Sequence, residues 1–258
     1  IMEWQSVFWI ILVLLLIYIV YNYITRDVNM LNRNLTAGNI MTTVSPAQFS
    51  TANDFDSSNF TYSVWFYVND WNYRYGEPKD LISRSITFPA SSTEGMSGMD
   101  AYTEGIGEKQ PCPFVMLAPK ENNIIIAVTC YTSNATAEAG VVHYTEVVNV
   151  PIQRWVNLYF SVYGRTLDVY INGKLVRTSI LPGVAKILPT ANIYLTPNGG
   201  FNGWTSKLQY WNMSSNPQAA WDTYVKGYGG GLLDNLFGKY KVKMALLVDN
   251  KEEAQLTI

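Results

Sequence analysis

Few residues in this chain can carry covalent chemistry. There is one histidine, His143, and there are two cysteines, Cys112 and Cys130, among 258 residues. A single imidazole excludes a His-built metal cage and leaves a Ser-His-Asp or Cys-His mechanism with no evident nucleophile partner. Two thiols alone do not complete a zinc site. No GxxxxGK[ST] or GxGxxG stretch cradles a phosphate, and the glycines at 229–231 read as a flexible joint. Carboxylates stand close at Asp54 with Asp56 and Glu252 with Glu253, but nowhere at catalytic spacing on one strand. No enzymatic activity and no cofactor are expected.

The chemistry left is recognition. Charged residues make up 15% of the chain, against about 25% in an ordinary soluble domain, whereas aromatics reach 14%, with 18 Tyr and 8 Trp. The net charge of −2 supplies no basic field for a phosphate backbone, so nucleic acid is excluded as a partner. On alternating segments the polar and aromatic positions are Trp65, Tyr67, Asn69, Trp155, Asn157, Tyr159, Asp168, Tyr170, Gln209 and Trp211. Rings of this kind stack on apolar sugar faces while Asn, Gln and Asp fix hydroxyls. The same rings equally suit packing against another part of the domain or a partner protein.

These residues need strands to position them. Tyr62, Val64, Phe66 and Val68 alternate with Ser63, Trp65, Tyr67 and Asn69; Val156, Leu158, Phe160 and Val162 alternate with Trp155, Asn157, Tyr159 and Ser161. Leu167, Val169 and Ile171 form a third such run, and Asn172-Gly173 after it is a type I′ hairpin signal. Many short strands with hairpin turns predict an all-β sandwich. A short helix is expected after Asn216 as cap and Pro217 in the first turn, with Trp221, Tyr224 and Val225 on one face and Gly227 as its stop. The last 18 residues, KVKMALLVDNKEEAQLTI, turning at Asp249-Asn250, predict a terminal hairpin. Residues 89–113 read as a long loop, a length associated with function or mobility. If 114–118 pairs with 124–128 so that Ala118 faces Ile124, then Cys112 faces Cys130 within disulfide reach, free buried thiols being the alternative.

At the amino terminus, Gln5 to Thr25 is a run of 21 residues with no charge, about 31 Å as a helix. It has no small-residue cleavage site, and Trp4, Trp9, Tyr18, Tyr21 and Tyr23 fit interfacial belts, so an uncleaved transmembrane anchor is expected. Arg26 and Arg33 follow the run and only Glu3 precedes it, which assigns the large domain to the cytoplasmic side. The four N-x-[ST] triplets, at Asn34, Asn59, Asn134 and Asn212, are about what chance gives and carry no inference on secretion. The resulting organisation is an anchor over 1–26, a stalk and entry strand over 27–58, a sandwich over 59–227, and a Gly-rich joint with the hairpin over 228–258.

The ordered segments FTYSVWFYVNDW, DLISR, FVMLAPKENNIIIAV, RWVNLYFSVYGRTLDVYINGKLV and FNGWTSKLQYWN resemble a laminin-G-like jelly roll of the concanavalin A-like lectin and glucanase superfamily. The resemblance runs from about Asn59 to Gly227 and is most specific at Trp155, Gly164, Leu167, Tyr170, Asn172, Gly173, Phe201, Asn202 and Gly203. It implies a jelly-roll β-sandwich whose work is binding of sugars or proteins. The ExDxE strand of the superfamily's hydrolases is missing here. Calcium sites in the superfamily use loop carboxylates, for which Glu94, Asp100, Glu104 and Glu108 are weak candidates, a solvated loop being the plain alternative. Membrane-anchored jelly rolls also resemble minor capsid proteins of large icosahedral DNA viruses with an internal membrane. Two functions follow: a single-pass structural protein tethering a bilayer to capsid-like partners at a virion inner membrane, and a membrane-anchored lectin that binds carbohydrate.

Overall fold

The computed structural model of the protein describes residues 4–24, 27–49, 58–86, 110–131, 140–229, 243–248 and 251–257. The chain runs from helix α1 (Trp4–Ile24) through three short strands, β1 (Met30–Asn32), β2 (Thr36–Ala37) and β3 (Thr42–Val44), to β4 (Phe60–Asp70) and β5 (Lys79–Ser85). Then follow β6 (Phe114–Leu117), β7 (Ile124–Cys130), β8 (Val141–Val147), β9 (Trp155–Tyr163), β10 (Thr166–Ile171) and β11 (Lys174–Ile180). The remaining elements are β12 (Asn192–Leu195), β13 (Asn202–Trp211), α2 (Pro217–Val225), β14 (Lys243–Val248) and β15 (Lys251–Thr257).

Period-2 patterning sorts these strands into two antiparallel sheets. One sheet has the order β1-β13-β4-β9-β10-β11, with β2 also on β13; the other has the order β3-β12-β5-β6-β7-β8. The aliphatic positions of the alternating runs meet between them. Val64 and Phe66 of β4 and Leu158 and Phe160 of β9 share one buried core with Leu81, Val115, Ile126 and Val128 of the second sheet. Each such side chain contributes about 1.5–3 kcal/mol when fully buried. The sandwich expected from the alternation is therefore the fold. β6 and β7 are apolar on their outer face too, where Phe114, Met116, Ala118, Ile125 and Ala127 form a second cluster, so these segments read as unbroken hydrophobic runs.

The segment expected as a stalk and entry strand carries strands on both sheets. Met30 pairs with Gln209, Ala37 with Trp204 and Val44 with Ile193. Strands of two or three residues are too short to show a period, so the sequence reads as irregular. The two strands expected of the terminal hairpin pair antiparallel, with Met244 opposite Leu256, while the expected turn at 249–250 lies outside the described residues.

The transmembrane helix is not carried by the structure. α1 is 21 residues long without a charge, yet among the described residues no helix is long and apolar enough to cross a membrane. In α1 the described side chains are Phe8, Trp9 and Leu12 to Val20, all exposed.

The cysteine pairing also differs. Leu117, not Ala118, faces Ile124, and Phe114 faces Ala127, so the ladder is shifted by one residue from the register that set Cys112 against Cys130. Both cysteines are buried free thiols. Burial, then the neighbouring Cys130, pushes the Cys112 thiol up to about 12.

Candidate functional site: an aromatic sheet face and its cover

The outward side of β4, β9, β10 and β13 carries the aromatic residues singled out by spacing, and the structure brings them together. It also covers them. Asn172 and Gly173 take the positive φ values of 52° and 73° that a type I′ turn requires, joining β10 to β11. The Asn172 side chain accepts a hydrogen bond from the Asn157 amide at 2.9 Å, which fixes the turn on β9. α2 rests on this turn: a Cβ added at Gly173 would come within 3.0 Å of Trp221 Cε3 and 3.1 Å of Trp221 Cα.

α2 begins as its sequence predicts. Asn216 Oδ1 accepts from the Ala219 amide at 2.9 Å, Pro217 occupies the first turn, and Gly227 follows the end with φ 70°. Its buried side is a different one from that expected. Ala220 and Thr223 face inward, while Trp221 is 44% and Val225 64% exposed. Small residues let the helix lie close on the rings of Tyr159, Tyr170 and Trp211. Tyr224 turns toward the sheet and stacks on Trp65 at 5.7 Å.

Past the helix, Gly227 O accepts from Lys207 Nζ at 2.8 Å and Tyr228 O from Ser206 Oγ at 3.0 Å. These bonds lay the Tyr228 ring on Trp155, stacked at 4.4 Å, with its edge toward Trp65 at 5.9 Å. Trp65 is left 4% exposed, and Tyr159 and Tyr170 each 1%. Burial pushes both tyrosine hydroxyls above their ordinary value, and Tyr159 donates to Ser215 Oγ. The covered face is thus uncharged among its rings at neutral pH.

The polar members of the set are engaged within the protein. Asn157 Nδ2 donates to Ser63 Oγ at 3.1 Å, and Asp168 Oδ1 accepts from Thr178 Oγ1 at 2.6 Å. Gln209 Nε2 donates to Asp27 Oδ2 at 2.7 Å, pinning the chain just after α1. Of the predicted face, Tyr67 stays half-buried, its ring 5.8 Å from Trp155, and Asn69 is exposed.

One residue of this open corner escaped the sequence reading. Trp204 pairs directly with Tyr67 across the β13–β4 ladder and is 46% exposed. Counting in twos back from Gln209 and Trp211 places Trp204 on the core side. A bulge between Ser206 and Gln209, with Lys207 at φ 46°, reverses the parity and turns Trp204 outward. The irregular spacing of aromatics in FNGWTSKLQYW was the available signal.

His143 sits on β8 opposite Val128, in the other sheet. Among the described residues no group of three or more His, Cys, Asp or Glu is placed to hold a metal ion. Glu94, Asp100, Glu104 and Glu108 lie outside the described residues.

No protein-family model and no curated protein matches the chain. Solved structures do. The receptor binding domain of botulinum neurotoxin D is 10% identical, with 74% of this chain and 43% of that one covered and a TM-score of 0.51. The binding domain of botulinum neurotoxin DC in complex with rat synaptotagmin II is 11% identical, with coverages of 76% and 45% and a TM-score of 0.49. This chain spans less than half the length of either, and at such identity the likeness is one of fold: a β-sandwich of lectin-like type.

Proposed function

We infer that the protein is a non-catalytic interaction module held at a membrane, tethering a bilayer to a protein scaffold. The observation that carries this reading is an uncharged helix followed, three residues on, by residues bound into the sandwich. The helix has 21 residues; after it come Asp27, held by Gln209, and Asn29, whose carbonyl accepts from the Tyr210 amide at 2.9 Å. A membrane-length segment this close along the chain to a binding-type fold suits a tether. The uncharged run from Gln5 to Thr25 supports the span, and Arg26 and Arg33 after it support a cytoplasmic placement of the sandwich. The minor capsid proteins of large icosahedral DNA viruses with an internal membrane are the class this arrangement fits, with other structural proteins as partners. Carbonate extraction tests the anchor: the full chain stays in the membrane pellet and a chain lacking residues 1–26 is released. Release of the full chain overturns the reading.

A second reading, carbohydrate binding, keeps one specific support. Tyr67, Asn69 and Trp204 leave an aromatic and amide corner open on a fold it shares with a receptor binding domain. On this reading Trp204→Ala abolishes retention on a glycan array while Trp65→Ala acts through folding alone. Absence of retention by the unaltered protein removes it.

A further inference from the structure

The core contains a charge that no carboxylate among the described residues meets. Arg84 of β5 points between the sheets and is 4% exposed, beside Tyr62 at 0% and Tyr210 at 5%. Its Nη1 donates to Tyr210 Oη at 3.2 Å, and that hydroxyl reaches Asn212 Oδ1 at 3.3 Å. The guanidinium carbon lies 5.1 Å from the Phe49 ring centre and 5.5 Å from that of Tyr210. Among the described residues the one ion pair is Arg74 with Glu77, on the surface.

Two donors at this point lack a well-formed hydrogen bond. Among the described residues Arg84 Nε and Tyr62 Oη are both buried with no partner in good geometry, although the guanidinium and the Tyr62 hydroxyl lie close enough to act on each other. A buried donor left unmade is costly, and a buried charge is costlier still unless something of opposite sign is beside it. The described neighbouring groups do not provide that sign. Burial holds Tyr62 protonated far above its ordinary range, and Cys112, pushed up to about 12, remains a thiol. Ring faces offset part of the charge, yet they accept nothing from Nε–H or from the tyrosine O–H.

We propose that Arg84 and Tyr62 form an internal site for a monoatomic anion of chloride type. Such an ion accepts from both orphan donors and neutralises the guanidinium in one step. A single water would satisfy the donors and leave the charge. The Phe49 ring lies over the guanidinium, and close packing of this kind favours a small ion over a larger oxyanion.

The test uses the full chain in detergent at pH 7, with thermal unfolding followed in sodium chloride and in sodium gluconate of equal ionic strength. Chloride raises the midpoint saturably, by a few degrees, and gluconate does not. Tyr62→Phe, which keeps the ring and removes one donor, shrinks the chloride increment, and Arg84→Met abolishes it; should Arg84→Met fail to fold, Tyr62→Phe decides. Crystals grown with bromide show an anomalous peak within contact of Arg84 Nε. Identical midpoints in the two salts, an increment undiminished in Tyr62→Phe, or a water without anomalous signal at that position overturns the proposal. So does the finding that Asp54→Asn or Asp56→Asn destabilises as much as Arg84→Met without chloride dependence, because the chain would then supply its own counter-charge.

Discussion

Trp65 and Trp155 show how one residue type serves two purposes and how its surroundings choose between them. Spacing alone marks both as outward-facing rings fit for a sugar. In the structure Trp65 is buried and stacks on Tyr224, and the half-buried Trp155 stacks on Tyr228. Trp65→Ala should therefore lower stability by about 3 kcal/mol or more, the range for deleting a buried aromatic. Trp204→Ala should cost within about 0.5 kcal/mol. Urea titration followed by far-ultraviolet circular dichroism measures both. Cys112 makes a second residue-scale prediction. Its folded value, about 12, lies above the unfolded one. The stability it contributes is thus fully present below about pH 8.5 and is lost as the pH rises toward the folded value. Between pH 8 and pH 10.5 the urea midpoint of the native protein should fall more steeply than that of Cys112→Ala. Residue identity was legible in the sequence to this extent: side-chain alternation told inside from outside on β4, β9 and β10. It failed at Trp204, because a bulge changes parity without changing composition.

At the scale of elements, length decided what the sequence revealed. Strands of six to eleven residues such as β4, β9 and β10 repeat their period often enough to be read. β1, β2 and β3 do not, and their pairing is set by backbone hydrogen bonds to β13 and β12, far along the chain. α2 was legible as a helix through its cap and its stop. Its docked side was not, since the close approach to Tyr159 and Tyr170 favours Ala220 and Thr223 over the larger Trp221 and Val225. Gly173 is where turn and helix meet, and it is constrained twice, by a φ of 73° and by the approach of Trp221. Gly173→Ala should destabilise the sandwich by about 1–3 kcal/mol, the cost of strain combined with overpacking. It should also raise amide exchange in residues 217–228 above that in β4 and β9. Asn216→Ala, which removes the cap alone, should cost about 1 kcal/mol and leave exchange in the Asn172-Gly173 turn unchanged.

For the whole molecule, the proposed tether raises the question of which side of a membrane the sandwich would occupy. Asn34 is exposed between β1 and β2, whereas Asn59 is partly buried, its side chain accepting from the Gly164 amide at 2.7 Å. A luminal domain would therefore carry its glycan at Asn34. In sealed microsomes the sandwich should be digested by added protease and Asn34 should stay unmodified; protection together with a glycan at Asn34 would place it on the other side. The joint after α1 has a mechanical meaning as well. A pull on the helix reaches the sandwich through Asp27 and Asn29 and falls first on β1, three residues long, then on β2 and β3. Strands this short, lying at the sheet edges, lose their hydrogen bonds singly, whereas β4 is held on both sides along its length. Under tension they would yield in sequence and release residues 27 to 44, about 60 Å of chain at full extension, before the core is loaded. On the proposed tether reading, the entry strands would give way by steps when two attached bodies are drawn apart.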